Sequence, residues 1–309
     1  MSLLGPDDPP VDQILEAIDE MAAAPQPKVL LFDIGGVCVA SPFQAILDYE
    51  ISLGIPPGWV NYSISRSAPH GSWQKLERGE IPLDETFFAS FNEDLHRPDR
   101  WRAFYARAAA ANPSLPGRVP PLPTVDGRRL FNDMMAAAQA PDPWMFPALR
   151  KLRRSGRYVM GALSNTVMFP PGHRLHRADV LGEPLRSQFD VVVSSAHVGL
   201  RKPDPRVYRL AVDALDKFAR ENAGSERGRR GGWESGVQAG DVLFLDDIGE
   251  NLRAAKEHGF ATIRVRLGRA YEAVDELEKV TGLQLQGGHP RVAVRQPEMR
   301  GLRGSKANM

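Results

Sequence analysis

Five short apolar runs set the tightest limit on what this chain can fold into. They are "VLLFD" (29–33), "YVMGALS" (158–164), "FDVVVSS" (189–195), "DVLFLDD" (241–247) and "ATIRVRL" (261–267). Most are continuously apolar and then break at a polar residue. A strand with water on one face alternates apolar with polar; one buried on both faces does not. Between the runs lie the helical patterns "PALRKLRRSG", "DPRVYRLAVDALDKFAR" and "IGENLRAAKEHG". In the second, Val207, Leu210, Ala211, Ala214, Leu215 and Phe218 recur at helical spacing and form one apolar face. Gly156 and Gly259 stand where helices should stop. Strands and helices in alternation predict an α/β fold, a doubly wound parallel sheet covered on both sides.

The rhythm is interrupted once. About 110 residues separate the first strand's helix from the second strand, and most carry helical patterns ("FQAILDYEISLG", "TFFASFNEDL", "RWRAFYARAAAA") before a Pro-rich stretch, "NPSLPGRVPPLPTVDGRR". An insertion at the carboxyl end of a strand predicts a helical cap over the ligand site. The chain therefore divides into a lead-in at 1–26, a core at 27–42 and 144–284, and a helical cap at 43–143. Within the core, 221–240 is Gly-rich and charged, with the composition of a flexible surface loop. Residues 285–309 are basic and poor in large apolar groups, which predicts a disordered, solvated tail.

Composition narrows the function classes. A chain of 309 residues accommodates one domain of about 200 residues and a smaller one. A formal net charge of +1 carries no signature of nucleic acid or of an anionic membrane surface. The single cysteine, Cys38, cannot pair within the chain and reads as a small core hydrophobe. No apolar run approaches the roughly 18 residues a membrane span needs. The opening "MSLLGPDDPPVDQ" has acids and prolines where a secretory signal has basic and then apolar residues. A cytoplasmic location is the expectation, with an organelle left open; a homodimer is left open as well.

In an open parallel sheet, ligands bind outside the carboxyl ends of the strands. The residues there are Asp33, the run Ser164-Asn165-Thr166, Lys202 within "GLRKPDP", and Asp246 with Asp247. Together they offer a nucleophilic carboxylate, donors for an anion and ligands for a divalent cation. Each also has a plainer role. Asp33 suits an Asx turn before Gly-Gly, Ser164 and Asn165 suit a helix cap, and Asp246 and Asp247 suit the start of the next helix. Lys202 suits a solvated position before a proline.

The segments "FDIGGV", "LSNT", "GLRKPDPRVY" and "FLDDIGENLRAAKEHGFATIRV" resemble, in order, the four motifs of the haloacid dehalogenase-like hydrolase superfamily. They are most similar to the branch containing the N-terminal phosphatase domain of bifunctional soluble epoxide hydrolases. The resemblance spans residue 28 to about 284, cap included. It implies that Asp33 attacks phosphorus and becomes an aspartyl-phosphate. It implies Mg²⁺ held by the Asp33 carboxylate, the Gly35 carbonyl and Asp247. Ser164 and main-chain N–H groups around Asn165 would hold the phosphoryl oxygens, Lys202 would neutralise charge, and Asp246 would position Lys202. The implied partner is a small-molecule phosphate ester. The chain stops before an epoxide-hydrolysing half and has no G-x-S-x-G elbow, so epoxide hydrolysis is not expected.

One position departs from the pattern. Phosphatases of the superfamily usually carry a second aspartate two residues after the nucleophile, where this chain has Gly35. Loss of a positioned general acid typically costs about 10²–10⁴ in rate, roughly 3–5.5 kcal/mol of barrier. Three outcomes stay open: a slow or atypical phosphatase, a metal-free dehalogenase-type hydrolase, and a protein that binds a phospho-ligand or partner without turnover. His70 and Glu77, in the cap segment "APHGSWQKLERGEI", are candidates for a replacement acid or for substrate contacts, against a plainer reading as surface residues. The pair His173 and His176 lacks a third ligand nearby in sequence and is not expected to bind zinc. The cap aromatics Trp59, Tyr62, Trp73, Phe87, Phe88, Phe91 and Trp101 are expected to form the cap's own core.

Overall fold

The computed structural model describes residues 26–176 and 181–294. The expected lead-in helix and the end of the basic tail lie outside the described residues. Five strands form one parallel sheet: β1 (Val29–Phe32), β2 (Val159–Ser164), β3 (Val191–Ser194), β4 (Val242–Asp246) and β5 (Ala261–Arg264). Their spatial order is β3-β2-β1-β4-β5, with β1 central.

Successive strand residues point to opposite faces, and along β1, β2 and β4 both faces are dry. Leu30, Phe32, Met160, Ala162, Leu243 and Leu245 enter one core cluster. Val29, Leu31, Val159, Leu163, Val242 and Phe244 enter the other. This is why the strands read as unbroken apolar runs. Against the first face pack α7 (Met145–Ser155) and α12 (Ala270–Thr281), through Leu149, Leu152, Val274 and Leu277. Against the second pack α9 (Pro205–Glu221) and α11 (Gly249–Glu257), through Val207, Ala211, Leu215 and Leu252. Helix α9 begins with Pro205 and an Asp204 side chain that accepts the Arg206 N–H, while α7 ends on Gly156 at φ 65°.

The insertion after β1 is helical, as expected. It holds α1 (Pro42–Ser52), α2 (Trp59–Ser67), α3 (Ser72–Glu77), α4 (Glu85–Leu95), α5 (Pro98–Ala111) and α6 (Gly127–Ala137), which share a separate apolar core. Trp59, Phe87, Phe88, Phe91 and Trp101 are buried there, with Phe87 and Phe91 stacked at 5.4 Å. Tyr62 and Trp73 are only partly buried. The Pro-rich stretch crosses α5 as an extended strap, pinned by the Trp101 indole N–H on the Pro120 carbonyl (2.9 Å) and the Tyr105 hydroxyl on the Pro116 carbonyl (3.2 Å).

Two segments read as loose are packed. The 221–240 insert contains α10 (Glu226–Gly231) and a short 3₁₀ turn at Trp233–Ser235. The Trp233 side chain is fully buried against Phe218, and Arg227 donates twice to Asp190 at 2.9 and 2.8 Å. Polar composition hid one large anchor and one part-buried ion pair. Burial opposes the Asp190 charge, but the guanidinium of Arg227, the Met160 N–H and Arg153 outweigh it and hold the carboxyl below its usual range. Residues 285–294 also dock instead of trailing away. Leu285 is buried, the Trp144 indole N–H donates to the Pro290 carbonyl at 3.0 Å, and the Val294 N–H reaches the Gly268 carbonyl at 2.9 Å.

Candidate active site

The carboxyl ends of β1, β2 and β4 and the loop after β3 converge beneath the cap. Asp33 directly follows β1, and its own N–H is tied to Leu245 on β4 at 2.8 Å. The Ile34 N–H donates to Asp33 Oδ1 at 2.6 Å, and Lys202 Nζ lies 3.0 Å from Oδ2. These two contacts fix the carboxylate's plane at the mouth of the sheet.

Lys202 is buried, with Nζ also 2.7 Å from Asp246 Oδ2. Asp246 is consumed by structure: Oδ1 accepts the Ile248 N–H at 2.8 Å, and Asn251 Nδ2 reaches both oxygens at 3.1 Å. Burial works against the lysine's charge, yet Asp246 and Asp33 together push it above the usual range, so Lys202 stays an ammonium. Its backbone is clamped too. The Lys202 N–H donates to Asn165 Oδ1 at 2.8 Å, and Asn165 Nδ2 donates to the Lys202 carbonyl at 3.1 Å.

Asp33, Asp246 and Asp247 each place an oxygen within 4.8 Å of the others. Three carboxylates face one ammonium, and Asp247 Oδ1 is buried without a hydrogen-bond partner. Burial first, and the neighbouring Asp246 after it, raise the Asp33 carboxyl to about 6 although Lys202 pulls it down. Burial, Asp33 and Asp246 push Asp247 well above the usual range. Such a cluster either holds protons or holds a cation, and an all-oxygen donor set suits a hard divalent ion. Gly36 is part of the fit. At φ 76° it adopts a conformation that side chains avoid, and a Cβ there would collide with Asp247 Oδ2.

Over these residues, cap and core enclose a cavity of about 650 Å³ lined by Asp33, Gly35, Lys202, Asp247 and the cap residues Trp73 and Glu77. A second compartment of about 310 Å³ adjoins it. Its walls are mostly apolar, including Val39, Met135, Phe169 and Leu181, with Ser164 and Thr166 beside them.

The strand-tip residues anticipated from the sequence thus come together, with differences of detail. Ser164 is buried at the end of β2 and lines the apolar compartment. The Thr166 N–H, one of the donors expected around Asn165, is already engaged by Ser195 Oγ at 2.9 Å. Gly35 lines both compartments. Glu77 is buried and lines both as well, whereas its surface reading fails because α3 turns it inward. His70 is the reverse case: it is exposed on the turn before α3 and lines neither compartment. His173 stacks on Phe169, and His176, whose Nδ1 pairs with the Phe169 carbonyl at 2.7 Å, lines the apolar compartment. Two residues went unnoticed in the sequence. Arg201 lines the larger compartment and pairs with Glu77, and Asn251 holds Asp246. Their signals were an arginine beside the key lysine and a polar residue one helical turn past the acids.

A family model, haloacid dehalogenase-like hydrolase, matches residues 27–259, most of the chain, with Asp33, Lys202, Asp246 and Asp247 inside the match. The chain belongs to this family. It is 28 % identical over 259 residues to bifunctional epoxide hydrolase 2 of Sus scrofa, covering 84 % of this chain and 39 % of that protein. Acyl-CoA dehydrogenase family member 10 of Mus musculus is 27 % identical over 263 residues, 85 % of this chain and 20 % of that one. The chain therefore spans well under half the length of these relatives. Phosphatase MT3486 of Mycobacterium tuberculosis (strain CDC 1551 / Oshkosh) is 31 % identical over 159 residues, 51 % of this chain and 61 % of that protein. As a haloacid dehalogenase-like hydrolase, the protein is an enzyme of the hydrolase class.

Proposed function

We propose that this hydrolase cleaves a small phosphomonoester through a phosphorylated Asp33, with Mg²⁺ as its cofactor. The observation that carries the reading is the arrangement of Asp33 against Lys202 at 3.0 Å, beside an Asp247 oxygen that is buried and unpartnered. Lys202 and the Ile34 N–H orient the Asp33 carboxylate toward phosphorus. A bond forms from a carboxylate oxygen to phosphorus as the ester P–O bond breaks, and the leaving oxygen departs as an anion that takes its proton from solvent. Water then cleaves the acyl phosphate, returning the carboxylate and releasing phosphate. Lys202 neutralises charge on the phosphoryl group in both halves, Ser164 and the chain at Asn165 supply donors, and Asp246 acts only by holding Lys202. Bound between Asp33, the Gly35 carbonyl and Asp247, Mg²⁺ would supply the positive charge that lets a carboxylate approach a phosphate.

Gly35 favours a second reading, a metal-free dehalogenase-type hydrolase, which has no need of an acid there. The three clustered carboxylates speak against it, because metal-free attack on carbon gains nothing from them. Among the described residues, no helix is long and apolar enough to cross a membrane. The buried, unpaired Cys38 suits the reducing cytoplasm. Release of phosphate from p-nitrophenyl phosphate, dependent on Mg²⁺ and abolished by Asp33→Asn, is the expected result. Halide release from 2-haloacids in chelator would decide for the dehalogenase, and no turnover of either by folded protein for a binding role.

A further inference from the structure

The phosphatase reading leaves one job unfilled. With Gly35 in place of an acid, nothing on the β1 loop can take a proton from the water that cleaves the acyl phosphate. Four carboxylate residues line the larger compartment: Asp33, Asp247, Glu77 and Glu250. Asp33 and Asp247 belong to the charge cluster with Lys202, and Glu250 is exposed at the start of α11. Glu77 alone among them lines both compartments, and so does Gly35, at whose side-chain position the acid would have stood.

Glu77 is also held in place from the core, although it belongs to the cap. The Ser195 hydroxyl donates to its backbone carbonyl at 2.6 Å, and Arg201 Nε reaches its Oε2 at 2.7 Å. Gly79, two residues on, has φ 67°, and a Cβ there would lie 2.5 Å from the Ala196 carbonyl oxygen, so only glycine lets this turn seat against α8 (Ser195–Val198), the short helix after β3. Arg201 engages Oε2, and among the described residues nothing hydrogen-bonds Oε1. The arginine in turn is the chain neighbour of Lys202, so one loop carries both the charge-neutralising lysine and the residue that orients the glutamate.

We propose that Glu77 is the acid–base residue of this active site, serving from the cap the water-activating step that Gly35 cannot, with Arg201 as its positioning residue. In the second half-reaction, Glu77 takes a proton from water as the water oxygen bonds to phosphorus. The bond from phosphorus to Asp33 breaks, its electron pair returns to the carboxylate, and phosphate departs. Arg201 occupies Oε2 and leaves Oε1 to accept a proton from water, so Glu77 is assigned to the water step and not to the leaving alcohol. The first half-reaction then depends steeply on the leaving group and the second does not.

The test separates the halves. Protein with saturating Mg²⁺ is mixed with p-nitrophenyl phosphate, and phosphoenzyme is followed by rapid quench, nitrophenol by absorbance. In Glu77→Gln the nitrophenol burst is expected within about 3-fold of wild type, while phosphoenzyme decays about 10²–10³ more slowly. Hydroxylamine, a nucleophile that needs no base, is expected to discharge the trapped phosphoenzyme of wild type and variant alike. Glu77→Asp, which keeps the acid but shortens its reach, should decay at an intermediate rate, and Arg201→Gln should slow decay by about 10-fold. Unchanged decay in Glu77→Gln overturns the proposal. So does equal slowing of burst and decay with a lowered Tm, which marks Glu77 as a structural link between cap and core. Absence of any nitrophenol release and of phosphoenzyme in wild type overturns the phosphatase reading itself, a result distinct from either.

Discussion

Lys202 and Asp246 form an ion pair with side-chain exposures of only 1 % and 0 %, at 2.7 Å. A buried pair pays a large desolvation cost and tolerates the loss of neither partner. Lys202→Met leaves Asp33, Asp246 and Asp247 without their one ammonium, and Asp246→Ala leaves the buried lysine with Asp33 as its remaining ion-pair partner. Each is expected to lower unfolding free energy by about 3–5 kcal/mol, measured by urea titration. Divalent cation should restore part of the loss in Lys202→Met, because it compensates the same carboxylates.

Cation binding should release protons. The Asp33 carboxyl titrates near 6 and Asp247 lies well above its usual range, so the metal-free site carries protons in mildly acid solution. A ligating carboxylate must lose its proton. Mg²⁺ affinity is therefore expected to fall as pH drops from 7 to 5, by up to about tenfold per unit for each proton displaced. Calorimetry in buffers of different ionisation enthalpy reads the proton count directly. An affinity flat across that range would contradict the cluster's role as ligands.

The cap has its own titration. Burial raises Glu50 from 4.5 to about 7, against the Gly58 and Val60 N–H groups that bond its oxygens. A carboxyl that keeps its proton longer when folded means that the native state binds more protons between those values. Its stabilising contribution is complete below about 4.5 and is lost as pH rises through 7. Subtracting the stability profile of Glu50→Gln from that of wild type should expose this slope. A difference profile without it would show the carboxyl is not raised.

Adjacent glycines make opposite predictions. A Cβ at Gly35 meets nothing nearer than Pro42 Cδ at 3.7 Å, so Gly35→Asp fits, and it should raise the rate most for esters with poor leaving groups. At Gly36 the φ of 76° and the Asp247 carboxylate both oppose a side chain. Gly36→Ala should weaken Mg²⁺ binding at least tenfold while leaving the helical cap folded, as read by calorimetry and circular dichroism.

Trp233→Ala is expected to cost about 3–5 kcal/mol of stability, despite lying in a Gly-rich, charged stretch. Its ring is fully buried against α9, and chemical denaturation would reveal the loss. A change under about 0.5 kcal/mol would mark the insert as the loose loop its composition suggests.

The strands, their flanking helices and the polar residues at the strand tips were legible in the sequence. Burial on both faces of a sheet demands continuous apolar runs, and that demand is local, written residue by residue from Val29 to Phe32 and from Val242 to Leu245. Only the tertiary structure decided how distant segments spend their polar groups. Asn165 binds the backbone of Lys202, Glu77 turns from the cap into the site while His70 turns away, and Arg227 and Trp233 anchor the insert. These contacts join residues far apart in the chain, and composition averages over the single buried ring or ion pair that settles whether a polar segment packs. Periodicity records which face is apolar; it carries no record of what meets that face.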